Sequence, residues 1–266
     1  MLKTRVLVAV IALPILVAII ALGSWAFALL VLAVLVLAEY EYTRLWHLGG
    51  YHPPELLSIT LILVALGSVW FERSDWRDPA LALLLIVGLL YAVWQYEKNQ
   101  AHALENLALA VFGGVYLGWL GSALLAVRLL KDGIFLTLFL YGCVIVSDSA
   151  AYFVGRQFGR HKLSPRTSPK KTWEGYIGSV IGGAVFGALA VLPDFSSLSV
   201  WHGAIIGLLI GILGTVGDLG ESVIKRQVGA KDSSRLIPGH GGILDRIDSV
   251  LVSAAIGYYY LIWFAT

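Results

Sequence analysis

The sequence predicts an all-α fold, a polytopic bundle of about nine transmembrane helices. Apolar residues make up 58% of the 266 residues and charged residues only 14%, whereas soluble domains carry about 25% charged residues. Apolar runs near or above the roughly 18 to 20 residues that cross a bilayer recur along the whole chain. The runs are continuous, and lipid requires every backbone polar group to be paired internally, so we expect helical spans.

Glycine, proline or charged residues separate the apolar runs and set the limits of each predicted span. We place the spans at about 4–22, 24–45, 56–72, 79–97, 103–121, 134–155, 175–192, 201–221 and 247–265. Residues 122–133 leave two alternatives open, because this stretch can extend the fifth helix or lie at the membrane interface.

Basic residues are distributed unequally between the two predicted sides of the membrane. Fifteen of the 19 Lys and Arg residues fall on the side that holds the N-terminus and the loops at 156–174 and 225–246. Because cytoplasmic loops carry an excess of Lys and Arg, the pattern predicts a cytoplasmic N-terminus and an external C-terminus. Both strongly basic loops then lie on the cytoplasmic side.

Glycines recur four residues apart in the seventh and eighth predicted spans. Small residues at this spacing form a flat strip on which another helix can approach closely. The strip predicts either packing within the bundle or an interface between subunits. Its members are Gly178, Gly182, Gly183, Gly187, Gly203, Gly207 and Gly211.

The eighth span ends in a group of polar residues, within GTVGDLGESVIKR. Counted from Asp218, Glu221 or Ser222 lies three or four residues further on and Lys225 lies seven, so these residues share one face of a helix. A carboxylate inside lipid costs about 2.5 to 3.5 kcal/mol on insertion scales, so such an Asp indicates a functional site. The alternative is a structural ion pair between Asp218 and Lys225.

The following loop ends in GHGG at residues 239–242, directly before the ninth helix. Glycines let a backbone approach a ligand closely, and Asp245 and Asp248 then begin the helix three residues apart. Two helices would thus bring Asp218 and Asp245 to the same cytoplasmic rim. Carboxylates without histidine or thiolate ligands favour Mg²⁺ over zinc, and Mg²⁺ shares its remaining positions with water and substrate phosphates.

A third polar group follows the sixth span. Asp148 lies near the end of that span, and the next loop contains six basic residues and the stretch SPKKTWEG with Lys170 and Lys171. Topology and anionic lipid account for part of this charge, and paired lysines can also bind phosphates. Carboxylates for a metal beside cations for a polyanion indicate nucleotidyl transfer to a lipid phosphate.

The segment SVIKRQVGAKDSSRLIPGHGGILDRID, residues 222–248, resembles the signature of the CDP-diacylglycerol synthase family, also called phosphatidate cytidylyltransferases. The similarity covers 27 residues, and the surroundings of Asp148 and SPKKTWEG also look like bacterial members of that family. The first 130 residues are similar only in being hydrophobic helices.

The resemblance implies that CTP and phosphatidic acid react to give CDP-diacylglycerol and pyrophosphate, with Mg²⁺ alone or with Mg²⁺ and a second cation. It implies a multi-pass protein of the inner (cytoplasmic) membrane, with its active site facing the cytoplasm. It further implies a homodimer that contacts membrane lipid and binds no nucleic acid. Residues 1–130 would form a structural or dimerisation region and residues 131–266 the catalytic region.

The resemblance also assigns roles to residues. Asp218 and Asp245 would be the metal ligands, and together with Lys225 and Asp248 they would form the catalytic set. His240 would act as an acid for pyrophosphate departure or only make local or ribose contacts. The residues expected to bind substrate are Asp148, Lys170, Lys171, Ser222, Arg226, Lys231, Asp232, His240, Gly241, Gly242 and Arg246.

Two other functions remain open at this point. A CTP-dependent lipid kinase would use similar helices and metal sites but deliver the γ-phosphate to an alcohol. A transporter or channel for phosphate-bearing solutes would need charge near the bilayer midplane, whereas these charges gather at one rim. A CDP-alcohol phosphotransferase is disfavoured because its DGxxAR pattern is absent from the sequence, and no Walker-type GxxxxGK[ST] motif is present.

Overall fold

The structure is a computed structural model that describes residues 2–192, 197–234, 236, 237, 239 and 241–265, with side chains from residue 10 onward. These residues form nine α-helices and one two-stranded hairpin. Six helical segments in this part of the chain are long and apolar enough to cross a membrane. The predicted all-α polytopic bundle is therefore confirmed, with nine spans as an approximate count, and the chain is a multi-pass membrane protein.

The helices follow the predicted spans closely, and two short strands lie between α6 and α7. They are α1 Leu2–Leu22, α2 Ser24–Leu48, α3 Glu55–Trp70, α4 Arg77–Glu97, α5 Ala103–Leu129, α6 Gly133–Phe158, β1 Lys162–Ser164, β2 Ser168–Thr172, α7 Trp173–Ala190, α8 Val200–Gln227 and α9 Leu244–Tyr260. A 3₁₀ turn, Ser74–Trp76, precedes α4, and a π-helical turn, Leu261–Ala265, follows α9. Most of the ambiguous stretch at 122–133 extends the fifth helix.

The chain forms two compact units. Unit 1 consists of Met1–Ala126 and Gln227–Asp245, and unit 2 of Val127–Arg226 and Arg246–Thr266. The segment that connects α8 to α9 thus folds with the first helices of the chain. Helices α8 and α9 themselves have most of their length in unit 2.

Unit 1 is held together by helices that pack through small residues and buried hydroxyl groups. The Tyr42 side chain of α2 is fully buried, and its hydroxyl donates to the carbonyl of Leu109 on α5 over 2.9 Å. The Ser58 hydroxyl of α3 donates to the carbonyl of Ala110 over 3.0 Å. These bonds satisfy buried polar groups where α5 crosses α2 and α3.

The glycine strip packs helices within unit 2. A Cβ atom at Gly207 would overlap the carbonyl oxygen of Gly183, and one at Gly203 would overlap that of Gly187. The backbones of α7 and α8 therefore touch, as expected of small residues four apart. The interpretation as packing within the bundle is confirmed for these two pairs.

We expect Gly207→Ala to lower the apparent melting temperature of the detergent-solubilised protein, because its methyl group would press on the backbone of α7. Overpacking of this kind costs about 1 to 3 kcal/mol. Gly220→Ala is the matched control on the same helix, since no atom lies within 4 Å of its added methyl group, and alanine is the better helix former by about 1 kcal/mol. Equal melting temperatures for the two variants would contradict the close packing.

The basic loop after α6 contains an antiparallel hairpin that the sequence did not predict. Strands β1 and β2 pair Lys162 with Thr172, and the Thr172 side chain caps α7 by accepting from the Gly175 amide over 3.2 Å. Glu174 holds the other side of the hairpin by accepting from the Arg160 amide over 3.1 Å and pairing with His161 over 2.6 Å. The His161 hydrogen bond, followed by the backbone donors, lowers the pKa of Glu174 to about 2.

Candidate active site

Three helices of unit 2 bring aspartates together. Asp148 on α6, Asp218 on α8 and Asp248 on α9 are close enough for their negative charges to repel one another. Helices α8 and α9 can approach here because residue 217 is glycine, where a Cβ atom would overlap the carbonyl oxygen of Asp248. The close backbone contact places one carboxylate from each helix in the same group.

Cations of the same unit surround these carboxylates. The Lys171 ammonium lies 2.8 Å from Oδ2 of Asp218, in an ion pair with both side chains partly exposed. Arg246 and Lys171 interact electrostatically with Asp148, and Lys225 interacts with Asp248. The result is a mixed cluster in which each aspartate has a cation nearby, and such a cluster can accept both a metal ion and a polyanion.

Lys225 forms an ion pair with Glu221, one helical turn away. Both residues are buried, with Glu221 only 1% exposed. The structural ion pair considered from the sequence, between Asp218 and Lys225, is thus replaced by two pairs: Lys225 with Glu221, and Asp218 with Lys171. Side chains one turn apart face each other on a helix, which explains the local pairing.

The last turns of α8 are tied to the hairpin and to each other. The Ser222 hydroxyl lies 3.4 Å from Oδ1 of Asp218 and donates to it. Nε of Arg226 donates to the Thr167 carbonyl over 3.3 Å, next to β2. Lys170 on β2 is exposed. The hairpin therefore brings SPKKT beside the end of α8, so that Lys170 and Lys171 join the residues predicted around Asp218.

In unit 1, the residues before α9 form a closed turn around Asp245. Oδ2 of Asp245 accepts from the Ser233 amide over 3.0 Å, from the Ser233 hydroxyl over 2.9 Å and from the Gly242 amide over 2.9 Å. Ile237 and Gly241 pair through two backbone hydrogen bonds. Gly241 has φ +91°, a conformation that favours glycine.

The remaining predicted residues lie in or beside this turn. Lys231 and Asp232 are exposed on the segment after α8, whereas His240 lies outside the described residues. Asp218 belongs to unit 2 and Asp245 to unit 1, so their pairing around one metal ion stays a prediction.

The sequence reasoning did not single out Glu41 on α2. Its carboxylate is 2% exposed and accepts hydrogen bonds from Ser233, Ser234 and the start of α9. One signal was available: an acidic residue inside an apolar span indicates a function by default. The pattern AEYEYTR in the second span carried that signal.

The donor set of unit 2 fits a hard divalent cation. Asp148, Asp218 and Asp248 supply carboxylate oxygens, and Ser222 supplies a hydroxyl beside Asp218. Among the described residues, no three His, Cys, Asp or Glu side chains form a ready-made metal cage. Mg²⁺ binds through one or two carboxylates and keeps its other positions for water and phosphate oxygens, and a magnesium ion in this cluster stays a prediction.

Fold and site together define a class of protein. Helices that cross a membrane carry, near their ends, carboxylates interleaved with ammonium and guanidinium groups. Such an arrangement can hold a metal ion and neutralise phosphates, as a membrane-embedded nucleotidyltransferase requires.

Comparison with known proteins agrees with this class. A family model described as "Cytidylyltransferase family" matches residues 3–264. A phosphatidate cytidylyltransferase from Bacillus subtilis is 32% identical over 269 residues, covering 99% of this chain and 98% of its own. Another from Haemophilus influenzae is 35% identical over 290 residues, with 99% of each chain covered. A third, from Brucella suis, is 36% identical over 234 residues, covering 77% of this chain and 84% of its own.

The chain belongs to the cytidylyltransferase family. It is therefore an enzyme of the nucleotidyltransferase class.

Proposed function

We propose that this enzyme is a phosphatidate cytidylyltransferase that converts CTP and phosphatidic acid to CDP-diacylglycerol and pyrophosphate. The observation that carries the proposal is the cluster around Asp218, where the Lys171 ammonium lies 2.8 Å from the carboxylate. A carboxylate that could hold a metal and a partly exposed ammonium that could bind a phosphate lie side by side there. The names of the relatives support the choice of substrates.

The reaction is a substitution at the α-phosphorus of CTP. A phosphate oxygen of phosphatidic acid forms the new bond to this phosphorus, and the bond to the bridging oxygen of the β-phosphate breaks. The electron pair leaves with pyrophosphate. Because the second pKa of a phosphate monoester is about 6, the nucleophile is largely dianionic at pH 7, and no strong general base is required.

The main task of the protein is to bring two polyanions together. Their repulsion is large in a low-dielectric site, and positioned cations reduce it while holding the attacking oxygen in line with the leaving group. Lys171 and Arg246 lie in the cluster itself. Lys225 is buried and attracts the Asp248 carboxylate of the cluster. Lys170 on β2 and Arg226 near the end of α8 are exposed in the same unit, and Lys231 is exposed on the segment after α8. Each would add a cation for the substrate phosphates.

The acidic residues complete the site. Asp218 would hold Mg²⁺ with Asp245 as the second ligand, and Asp148 and Asp248 would add negative charge that permits a second cation. When bound, Mg²⁺ would neutralise phosphate oxygens and favour departure of pyrophosphate. Lys171 must then exchange its contact with Asp218 for a contact with a substrate phosphate.

We place the active site on the cytoplasmic side of the inner membrane, because the basic segments at 156–174 and 225–246 hold most of the Lys and Arg. Water-soluble CTP and membrane-bound phosphatidic acid can both reach such a rim. Residues 131–266 would carry most of the catalytic groups. Residues 1–130 would support them and contribute to a homodimer.

The test uses the purified full-length protein in detergent with phosphatidic acid, MgCl₂ and CTP labelled with ³²P at either the α- or the γ-phosphate. We expect α-label to enter the lipid and γ-label to appear in pyrophosphate. A CTP-dependent lipid kinase would give the opposite result, with γ-label in the lipid and α-label in soluble CDP. A transporter would leave both labels in CTP, and either outcome would overturn the proposal.

A further inference from the structure

Glu41 is a buried acidic residue in a helix that is apolar enough to span a membrane, Ser24–Leu48. The residue is 2% exposed. Burying a carboxylate in such a place is costly, and hydrogen-bond donors offset the cost. Its donors all come from the signature segment, which follows it by about 200 positions in the chain.

The two oxygens of Glu41 contact both ends of that segment. Oε1 accepts from the Ser234 hydroxyl over 2.6 Å and from the Ile243 amide over 3.0 Å. Oε2 accepts from the Ser233 hydroxyl over 2.9 Å and from the Leu244 amide over 2.9 Å. One side chain thus joins the start of the turn, at 233–234, to its end at 243–244.

The Glu41 carboxylate suits the amide donors at the start of α9. Leu244 is the first residue of α9, and the amides at a helix start have no partner within the helix. A negative charge there is favoured both by these amides and by the helix dipole. Glu41 therefore acts as a capping group for α9 that is supplied by a distant helix.

The space beside the Glu41 carboxylate also explains why residue 242 is glycine. A Cβ atom at Gly242 would overlap both the Ser233 hydroxyl and Oε2 of Glu41. Asp245 holds the opposite side of the turn through the amides of Ser233 and Gly242. The last glycine of GHGG, Gly242, is thus explained by the two carboxylates that contact this turn.

We propose that Glu41 is a positioning residue that holds the described residues of this turn, 231–234, 236, 237, 239 and 241–244, in the shape that substrate phosphates require. It acts through Ser233, Ser234 and the first amides of α9 and does not itself touch the substrate. The proposal rests on the proposed function, because the turn carries Lys231, Gly241 and Gly242, which are assigned to substrate.

The experiment compares Glu41→Gln with Glu39→Gln. Glu39 is two residues away on α2, is fully buried, and accepts from Thr43 of its own helix over 3.0 Å. The measurements are hydrogen exchange of peptides covering 231–245, the KM for CTP, kcat and the melting temperature. Hydrogen bonds to a charged group are among the stronger ones, so we expect Glu41→Gln to raise exchange in these peptides and the KM for CTP by about tenfold or more.

The control separates positioning from general stability. Glu39→Gln replaces an equally buried carboxyl group, so it is expected to change the melting temperature but to leave the KM and the exchange of 231–245 within about twofold of the wild type. Wild-type exchange and KM in Glu41→Gln would overturn the proposal. Equal changes in both variants would overturn it as well, because they would show a general loss of stability.

A milder variant keeps the test decisive if Glu41→Gln does not fold. Ser234→Ala removes the 2.6 Å bond to Oε1 of Glu41 and the bond that the Ser234 hydroxyl accepts from the Leu236 amide, and it leaves the other three bonds to Glu41 in place. It should still raise exchange in 231–245 and the KM for CTP severalfold; unchanged values would contradict the proposal. If the wild-type protein forms no labelled lipid, the proposed function fails. The exchange comparison then still decides whether Glu41 orders the turn.

Discussion

Asp218→Asn is expected to lower kcat for CDP-diacylglycerol formation by about 100- to 1,000-fold, the usual effect of losing one electrostatic contact in an active site. The variant keeps the size of the side chain but removes the charge that would hold Mg²⁺ and that now pairs with Lys171. The fold should tolerate the change, because the side chain is 41% exposed and partly exposed ion pairs contribute about 0 to 1 kcal/mol.

The measurement is kcat in the α-labelled CTP assay, with the melting temperature recorded for the same sample. Asp78→Asn provides the matched control, since Asp78 lies exposed in the first turn of α4 and outside the cluster. We expect wild-type turnover from that control. Wild-type turnover from Asp218→Asn would exclude Asp218 as a metal ligand.

Lys225→Ala is expected to destabilise the protein by about 3 to 5 kcal/mol, the usual result of removing one partner of a buried ion pair. Glu221 is 1% exposed and would lose the ammonium with which it now pairs. The variant should also lose activity, because the same ammonium is assigned to substrate phosphates. Thermal unfolding and the labelled-lipid assay measure the two effects separately.

A double variant separates the structural effect from the catalytic one. Glu221→Gln combined with Lys225→Met replaces the buried pair by neutral groups, which is often neutral or stabilising, so the melting temperature should recover while activity does not. Full activity in the double variant would refute the phosphate role of Lys225.

Lys231→Ala, at an exposed position, should raise the KM for CTP without changing the melting temperature.

Hydropathy was sufficient to predict the helices but not their ends. The eighth span was predicted to end at residue 221, whereas α8 continues to Gln227. Its last turn contains Lys225 and Arg226, which are polar and yet favourable at a helix C-terminus. A hydropathy pattern locates the part of a helix that lies in lipid, and the polar turns beyond it depend on backbone geometry and local charge.

The hairpin was not predictable by the same reasoning. Strands β1 and β2 have three and five residues, too few for an alternating pattern to stand out. Their stability comes from pairing with each other and from the contacts that Glu174 and Thr172 make at the start of α7. Sequence reasoning identified the lysines of SPKKT as phosphate-binding candidates without predicting the strand that places them.

The candidate site was predicted where it depends on local spacing. Residues four apart on one helix share a face, and Ser222 does contact Asp218. Contacts between distant segments were not predictable in this way, because no periodicity connects Glu41 with Ser233, which lies 192 residues later. Only the cost of burying a carboxylate indicated that Glu41 needed partners, and the structure identifies them.

The course of the chain through 227–245 has a practical consequence for protein engineering. This stretch folds with α2, while the helices on either side of it have most of their length in the other unit. The signature segment, residues 222–248, consequently depends on contacts with residues outside it. Grafting residues 222–248 onto a foreign helical scaffold would transfer the sequence of the motif without Glu41, whose carboxylate accepts hydrogen bonds from both ends of the turn.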